Sequence, residues 1–376
     1  IFSTDQQFLL TTDDSVLTPE TARLSSVATY NFNQKISPIS LGKTVGFLDN
    51  SGQYGRFFEM ANIASNSEPD VVEQSKVIPR LLPSDLDLLT NSRENSIVLI
   101  GKSATDTVFG YKYYNTGDKR LQAAWFKWKL PRPIRYHFII DDAYYFVSDD
   151  NYLQMINLVQ TSSDPSITQG DQNYLMHLDN YTTLGSGSYS SATNQTTFTA
   201  SWLSSTLTQN GSLALIDDSD SQPHMGRYIV PTVSGTTITA TGNWSGRTLV
   251  VGYLYEMLVE FPTIFVTKQA GEVTLSEITS SLVIHRVKVG LGNVGQYQSK
   301  LKRVGKTDFS QVFETTIMDA YSASTAPLLE ERIETIPVYE KNTNVDLFVL
   351  SNHPSPATIR SLSWEGDYSN KFYKRS

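Results

Sequence analysis

The chain has 376 residues, with 30 Lys or Arg and 38 Asp or Glu, so its formal net charge at pH 7 is −8. It contains no cysteine, which excludes disulfides, thiolate zinc sites and a thiol nucleophile. The acidic balance argues against a general duplex-binding protein, because tight binding to duplex DNA requires clustered Lys and Arg. No apolar run approaches the ~18 residues of a membrane span, so we expect no membrane span.

Residues 1–159 consist of short apolar runs separated by turn residues, in a chain that has 20 tyrosines. This pattern predicts a mainly β protein. Residues 137–140, for example, pair naturally with residues 144–147 across the turn Asp141-Asp142. Strand, tight turn and strand form the repeating unit. We therefore expect propeller-like antiparallel blades or a large sandwich over this region.

Few short helices are expected. Residues 68–75 are charged and have helical spacing, and Ser84-x-x-Asp87 resembles a helix capping box. Two prolines separate these segments. We expect short surface helices that link the blades.

Composition changes over residues 160–249, where Ser, Thr, Gly, Asn and Gln dominate and where no Lys or Glu occurs. Sparse charge with alternating Thr and Ile predicts an inserted small β domain with long polar loops. A disordered linker is the alternative, but the segment has too many aromatic residues for one: Tyr174, Tyr181, Tyr189, Phe198, Trp202 and Trp244. Residues 250–376 carry more charge, and we expect them to form a closing β region of the main body.

Adjacent aspartates are the candidates for acid chemistry. Two carboxylates could hydrolyse a glycosidic bond, and a cluster of carboxylate oxygens could bind calcium. Adjacent aspartates in hairpin connections are also ordinary turn residues, and we favour this interpretation. The candidate groups are Asp141-Asp142, Asp149-Asp150, and Asp217-Asp218 with Asp220.

No cofactor or metal is expected. Gly290-Leu-Gly292-Asn-Val-Gly295 matches the dinucleotide fingerprint, but it lacks the buried strand before it and the helix after it. We interpret it as a β-turn. The five histidines have no metal-ligand spacing, and no nucleophile elbow is present. We therefore predict no catalytic residue.

Two basic runs are stronger candidates for a functional site than the aspartates, glycines or histidines. Residues 119–135 and residues 285–306 each contain six Lys or Arg and no acid. In the first run the basic residues alternate with Phe126, Trp128 and Leu130, as on a strand with one buried face. Such runs either face a nucleic acid, bridge subunits or form a solvated strand face. The candidate residues are Lys119, Arg120, Lys127, Lys129, Lys300, Lys302, Arg303 and Lys306.

Four segments resemble the tail nozzle proteins (tail tubular protein B) of short-tailed bacteriophages, the podoviruses. The last of them ends in a strand that we expect Trp364-Glu365-Gly366 to close, followed by a basic, aromatic tail. The resemblance extends over most of the chain and is weakest over residues 161–246. The segments are residues 10–28, 91–130, 251–261 and 361–375.

The resemblance implies a structural virion protein of the phage tail, one subunit of a homo-hexameric ring through which viral double-stranded DNA is ejected. It also implies contacts with the tail adaptor ring protein and with tail fibre proteins. Members of the family have an N-terminal half that this sequence does not include, so we expect the chain to be a C-terminal portion. The insertion would line or gate the tube as a nozzle tip, or project outward as a fin.

Two hypotheses from other classes stay open. A tail-associated glycan-degrading enzyme would require one of the aspartate pairs in a cleft. A host-receptor or glycan-binding module would use the Tyr- and Trp-rich insertion to bind without turnover.

Overall fold

The chain is almost entirely antiparallel β structure in the part that our computed structural model describes, and the mainly β prediction is confirmed. The only helices in that part are two 3-10 turns, Gln74–Val77 and Asn342–Asn344. No helix there is long and apolar enough to cross a membrane. The described residues are 1–12, 16–62, 69–116, 119–161, 164–169, 172–202, 212–218, 227–270, 273–278, 280–313 and 328–369.

The chain divides into two compact units, Ile1–Ser162 and Ser163–Ser376. The strands described in the first unit are β1 (Gln7–Thr12), β2 (Ala22–Ala28), β3 (Ile39–Ser40), β4 (Thr44–Asp49), β5 (Arg56–Asn62), β6 (Pro69–Glu73), β7 (Leu88–Ser92), β8 (Ile97–Gly101), β9 (Thr105–Thr116), β10 (Lys119–Ile140), β11 (Ala143–Ser148) and β12 (Leu153–Asn157).

The strands described in the second unit are β13 (Ser166–Gln169), β14 (Gln172–Leu175), β15 (Asp179–Leu184), β16 (Ser188–Ser190), β17 (Gln195–Thr199), β18 (Leu213–Asp217), β19 (Tyr228–Ile229), β20 (Thr232–Ser234), β21 (Thr237–Thr241), β22 (Leu249–Tyr253), β23 (Met257–Glu260), β24 (Thr267–Ala270), β25 (Val273–Ser276), β26 (Ser281–Val294), β27 (Tyr297–Arg303), β28 (Phe309–Phe313), β29 (Leu329–Lys341), β30 (Val345–Ser351) and β31 (Ala357–Ser369).

The first unit is built from meanders in which consecutive strands pair. One sheet has the order β12-β11-β10-β9-β8-β7, a second has the order β3-β4-β5-β6, and β1 pairs with β2 as a two-stranded ribbon. His137 lies opposite Phe146 across the two-residue turn, as predicted. The propeller arrangement of such blades stays a prediction.

Strand β10 contacts a core on each side of the larger sheet around residues 125–130. Trp125 packs with Val98 and Phe57 in the core shared with the four-stranded sheet. Phe126 and Trp128 pack against Leu130 and the other core. The predicted alternation of Phe126, Trp128 and Leu130 on one face is thus confirmed, although the opposite face is not wholly solvated.

The helix predicted for residues 68–75 is wrong except at its end, where Gln74 and Ser75 begin the 3-10 turn Gln74–Val77, and the helix predicted after Ser84 is wrong. Residues 69–73 form the edge strand β6, whose backbone pairs with β5, and Glu68 lies outside the described residues. Asp87 caps no helix, because its Oδ1 accepts a hydrogen bond from the backbone N–H of Ser103 at 2.7 Å. In the first place the neighbouring strand β5, and in the second the turn after β8, provides hydrogen bonds that outweigh a weak local helix signal.

The second unit contains two pairs of packed sheets. The sheets β15-β22-β18-β19 and β16-β17-β21-β20 enclose one core, in which Phe198, Ile238 and Trp244 are buried. The sheets β29-β26-β31 and β23-β30-β27-β28 enclose another, in which Val287, Tyr297 and Val349 are buried. The described residues between 164 and 253 therefore have an ordered β core.

The interpretation of the glycine motif as a β-turn is wrong. Gly290 and Gly292 lie inside β26, the central strand of the three-stranded sheet. Arg360 on β31 crosses over Gly292 and donates to Glu331 on β29, with 2.7 Å between Nη1 and Oε1. A Cβ at position 292 would collide with this guanidinium, so glycine leaves room for the ion pair that spans the strand.

The expectation that Gly366 closes its strand is also wrong, since β31 continues to Ser369. Gly366 pairs with Ile284 beside a bulge, and a Cβ there would collide with the carbonyl oxygen of Val283. The obstacle is backbone, so no rotamer change can relieve it. Residues 370–375 of the predicted tail lie outside the described residues.

We expect Gly366→Ala to lower the free energy of unfolding by about 2 kcal/mol, because β31 must move away from β26 to make room for the methyl group. Urea denaturation followed by tryptophan fluorescence measures the loss. Gly185→Ala is the matched control, since a Cβ at position 185 meets no atom within 4 Å. Equal stabilities of the two variants would contradict the steric explanation.

Candidate functional site

Arg120 is the best-fixed of the basic residues predicted to form a site. It lies on β10 and reaches Glu59 on β5 of the neighbouring sheet, with 2.8 Å between Nη2 and Oε1 and a second contact from Nη1 to Oε2. Its Nη1 also donates to the hydroxyl of Tyr111 at 2.7 Å, and its Nε donates to Asn115. A bidentate pair of this kind fixes orientation as well as charge.

The surroundings of Arg120 are half-buried and electrostatically balanced. Burial would lower the pKa of Arg120, but the hydrogen bonds and negative charge of Glu59 outweigh it and raise this pKa. Burial also raises the pKa of Tyr111 to about 12, although the charge of Arg120 opposes the shift. The hydroxyl therefore stays protonated and donates to Gln74 Oε1 at 3.0 Å. Arg120 thus holds two sheets together.

The other basic residues of β10 are more exposed. Lys129 forms an ion pair with Asp106 on β9, with 2.9 Å between Nζ and Oδ2. Lys127 is exposed and has no ion pair with any described residue. Lys119 begins the strand, but its side chain lies outside the described residues.

The second basic set lies on β27 and in the turn after it. Lys300 forms an ion pair with Asp308 at 3.2 Å, and Lys306 forms one with Glu340 on β29. The hydrogen bond from Lys306 holds the pKa of Glu340 below its usual range.

The two residues between these lysines interact differently. Lys302 lies over the ring of Phe348, with 4.8 Å between Nζ and the ring centroid. Arg303 donates from Nη2 to the carbonyl of Thr307 at 3.2 Å. Its Nε is buried and has no hydrogen-bond partner among the described residues.

The predicted basic residues are therefore placed in two groups, one in each compact unit. Within each group, acids from other strands or turns pair with two of the basic side chains, Arg120 and Lys129 in the first and Lys300 and Lys306 in the second. Sequence reasoning missed these acids, which are Glu59, Asp106, Asp308 and Glu340. The pairing of Asp106 with Lys129 could have been inferred from a hairpin register, since Asp106 lies beside Thr107, the cross-strand partner of Lys129. The pairing of Glu59 with Arg120 could not, because 61 residues separate the two.

Two of the aspartate pairs lie in turns at the ends of strands. Asp141 and Asp142 occupy the tight turn between β10 and β11, where Asp141 has a positive φ of 51°. Asp149 and Asp150 follow β11 and form ion pairs with Arg135 and Arg132. The interpretation of these two pairs as turn residues is confirmed.

Asp217 is different, because its side chain is fully buried at the end of β18. It pairs with Arg247, with 3.0 Å between Nη1 and Oδ2, and this guanidinium lies 5.4 Å from the centroid of the Trp244 ring. Asp220 lies outside the described residues. In that part of the chain, no group of three or more His, Asp or Glu has the geometry of a metal site.

The aromatic residues of the insertion are mostly core residues. Tyr174, Phe198 and Trp244 are buried, and Trp202 packs against the same core as Trp244. Tyr181 and Tyr189 remain partly exposed, but they bond to Asp164 and Asn194 respectively. These contacts explain why so polar a segment needs so many rings.

Comparisons with known proteins identify the chain's relatives. The family model described as Bacteriophage nozzle protein matches residues 1–375. Tail tubular protein gp12 of Escherichia phage T7 is 19% identical over 385 residues, which cover 98% of this chain and 47% of that protein. The chain thus spans about half the length of this curated relative.

A solved exo-β-1,3-galactanase from Phanerochaete chrysosporium, crystallised with galactose, is 9% identical and aligns with 94% of this chain and 98% of that one. Its TM-score is 0.22, which is too low to support any statement about fold or activity.

The family match extends over the full set of segments from which the resemblance was inferred, including residues 10–28 and 361–375. The resemblance is therefore confirmed. The chain belongs to the bacteriophage nozzle protein family, and it is a structural protein of the virion tail.

Proposed function

We propose that this chain forms part of the subunit of a ring-shaped tail nozzle that conducts viral double-stranded DNA out of the particle. The ring is a homo-hexamer that contacts the tail adaptor ring protein and tail fibre proteins. Residues 1–159 form propeller-like blades of the ring body, and residues 250–376 close it. Residues 160–249 form an inserted domain at its tip or outer side. The role is mechanical and involves no catalysis.

The observation that carries the proposal, beyond family membership, is the internal neutralisation of the basic strands. Lys129, Lys300 and Lys306 each lie beside an acid of the same chain, and Arg120 is bidentate to Glu59. The chain as a whole is acidic. A protein that grips DNA instead presents unpaired cations, which release counterions from the phosphates.

A conduit has the opposite electrostatic requirement. Its wall must attract the phosphates weakly enough that the polymer keeps moving. The field of a paired cation decays within a few ångströms, well inside the screening length of ~8 Å at physiological ionic strength. Paired cations on stiff strands therefore suit a wall along which DNA slides.

The ring requires an interface that repeats around an axis, in which one surface of a subunit meets a different surface of the next. The family implies a further N-terminal half, which would add contacts between subunits and with the adaptor ring. The proposal therefore distinguishes this chain from the longer protein.

The test is the mass and symmetry of the particle, measured by light scattering and negative-stain imaging for this chain and for a version extended with the N-terminal half. We expect the longer version to form six-fold rings with a central hole. A monomeric longer version would refute the proposed conduit and favour the glycan-directed alternatives.

A charge-release experiment tests the electrostatic part. We expect Asp308→Asn combined with Glu340→Gln to strengthen binding of duplex DNA about tenfold at low salt and to steepen the dependence of log K on log salt by about 2, because two lysines lose their acidic partners. Fluorescence anisotropy of labelled DNA at several salt concentrations measures both quantities.

The matched control is Glu256→Gln combined with Glu260→Gln, which changes the net charge equally at exposed positions that have no cationic partner among the described residues. If both double variants strengthen binding alike, net charge alone is responsible and the paired acids have no special role.

A further inference from the structure

The sheet face formed by β10, β11 and β12 is apolar although it faces solvent. Alternate residues of these strands point away from the core that contains Tyr144 and Phe146. Register places Phe138, Tyr145 and Met155 in one row across the sheet, and Tyr136, Val147 and Leu153 in the next. We call this surface the apolar face. It carries no charged side chain in these rows.

The exposure of the apolar face is unusual for a sheet. Tyr136, Ile140, Leu153 and Met155 each expose between 52% and 62% of their surface. Together with the stacked rings of Phe138 and Tyr145, 5.3 Å apart, they present about 400 Å² of apolar surface. An exposed apolar patch of this size is often functional.

The same compact unit has a second unpartnered apolar surface. The ribbon of β1 and β2 forms a two-stranded sheet with no third strand among the described residues. Leu10 lies directly opposite Leu24 on one side of it, with Phe8 one row away. We call this surface the apolar ribbon.

The loop between these strands carries two further exposed apolar residues, Val16 and Leu17. The exposures of Leu10, Val16, Leu17 and Leu24 range from 43% to 63%. The apolar ribbon is therefore of about the same size and chemistry as the apolar face.

We infer that the apolar ribbon of one copy of this chain docks on the apolar face of the next copy. This inference rests on the proposed ring and specifies which surfaces form its interface. Both surfaces remain exposed within one chain, so they do not cover each other there. A single repeated contact between copies buries both, whereas a contact of either surface with itself leaves the other exposed.

Size and charge favour a second copy as the occupant. A stable interface buries about 800 Å² on each partner, with an apolar centre and a polar rim. Each patch is large enough for such a centre. Arg135, Asp142 and Asp149 surround the apolar face and supply a polar rim. Because the two surfaces differ, the contact is head-to-tail, which is the type of contact that closes rings.

The test uses three variants of the whole chain. Leu153→Asp with Met155→Asp places two charges on the apolar face, and Leu10→Asp with Leu24→Asp places two on the apolar ribbon. All four positions are solvent-exposed in the single chain, and circular dichroism verifies that each variant folds. The control is Ile333→Asp, because Ile333 on β29 is 75% exposed and belongs to neither surface.

Sedimentation velocity over a range of concentrations measures self-association of this chain and of the version with the N-terminal half. We expect each double variant to associate about 100-fold more weakly than wild type, and the control to match wild type. The decisive sample is an equimolar mixture of the two double variants. Each keeps one intact surface, so we expect the mixture to form dimers and nothing larger.

Three results would overturn the inference: a wild-type chain that stays monomeric, double variants that associate like wild type, or a mixture that stays monomeric. The proposed function is judged separately, by whether the longer wild-type protein forms rings. Rings that persist in both double variants would refute this interface but would not refute the proposed conduit function. Capture of a different tail component by the apolar face, with no self-association, would also refute it.

Discussion

Acidification from pH 7.5 to 4 is expected to destabilise both compact units, because each has a buried histidine that stays neutral in the folded state. Burial lowers the pKa of His137 in the first unit to about 4, although the charge of Asp87 opposes the shift. Burial likewise lowers the pKa of His353 in the second unit to about 4. The ordinary value for histidine is about 6.5.

Stability falls as the pH falls because the unfolded state binds protons at these histidines at a higher pH than the folded state does. As the pH falls below about 6.5, the unfolded chain takes up protons at these histidines and the folded chain does not. Stability is therefore complete above pH 6.5, declines between pH 6.5 and 4, and changes no further from this source below pH 4. Each histidine accounts for a loss of about 3 kcal/mol over that interval.

The contacts of both rings are consistent with neutral imidazoles. His137 Nδ1 lies 3.0 Å from the hydroxyl of Tyr144, and its Nε2 is buried with no partner among the described residues. His353 Nδ1 accepts from the backbone N–H of Ser355 at 3.0 Å. A second proton on the His137 ring would thus create a buried charge, and the negative charge of Asp87 offsets only part of the cost of burying it.

Hydrogen exchange followed by mass spectrometry measures the effect in each unit, with peptides from β11 for the first unit and from β30 for the second. We expect His137→Gln to flatten the pH dependence of β11 peptides and to leave that of β30 peptides unchanged. The control is His285→Gln at the exposed face of β26. An unchanged pH dependence in β11 peptides of His137→Gln would show that other groups cause the acid sensitivity.

Arg247→Ala is expected to lower the free energy of unfolding of the second unit by about 3–5 kcal/mol. The substitution leaves the carboxylate of Asp217 buried without the cation that lies 3.0 Å from it. Removing one partner of a buried charge pair costs far more than the pair contributes when intact. The cation–π contact with Trp244 is lost as well.

Two further variants separate charge from packing. Asp217→Leu combined with Arg247→Met removes both charges and keeps apolar volume, so we expect it to recover at least half of the loss. Arg360→Ala removes an arginine from the exposed pair with Glu331 and should cost less than about 1 kcal/mol. Urea denaturation of the four proteins gives the comparison. A double variant as unstable as Arg247→Ala would show that packing of the arginine, rather than charge, is decisive.

The sequence alone was sufficient to predict those features of the fold that depend on neighbouring residues. Turn residues between alternating runs predict hairpins because a two-residue connection sets the register of the strands beside it, and residues 137–147 fold as predicted. The alternation of Phe126 and Trp128 with lysines likewise reflects the period of a strand, whatever the strand packs against. Family membership was also readable, because it depends on the order of residues alone.

Helix signals and glycine patterns were misread for one common reason. Residues 69–73 have weak helical spacing, but their backbone pairs with β5 along the whole strand. Gly292 resembled a phosphate-loop glycine, yet it makes room for a salt bridge between the strands on either side. In both cases the deciding atoms belong to other strands, β5 in the first case and β29 with β31 in the second, so the pattern of the segment itself does not contain them.

The basic residues show where local inference ends. Their spacing predicts that they lie on strands. The pairing of Arg120 with Glu59 and of Lys306 with Glu340 depends instead on how the sheets pack and how the strands are aligned. The same holds for the apolar face, whose rows exist only because β10, β11 and β12 align Tyr136, Phe138 and their neighbours side by side. Chain order determines which residues a strand carries, whereas tertiary contact decides which charges are neutralised and which apolar side chains remain uncovered.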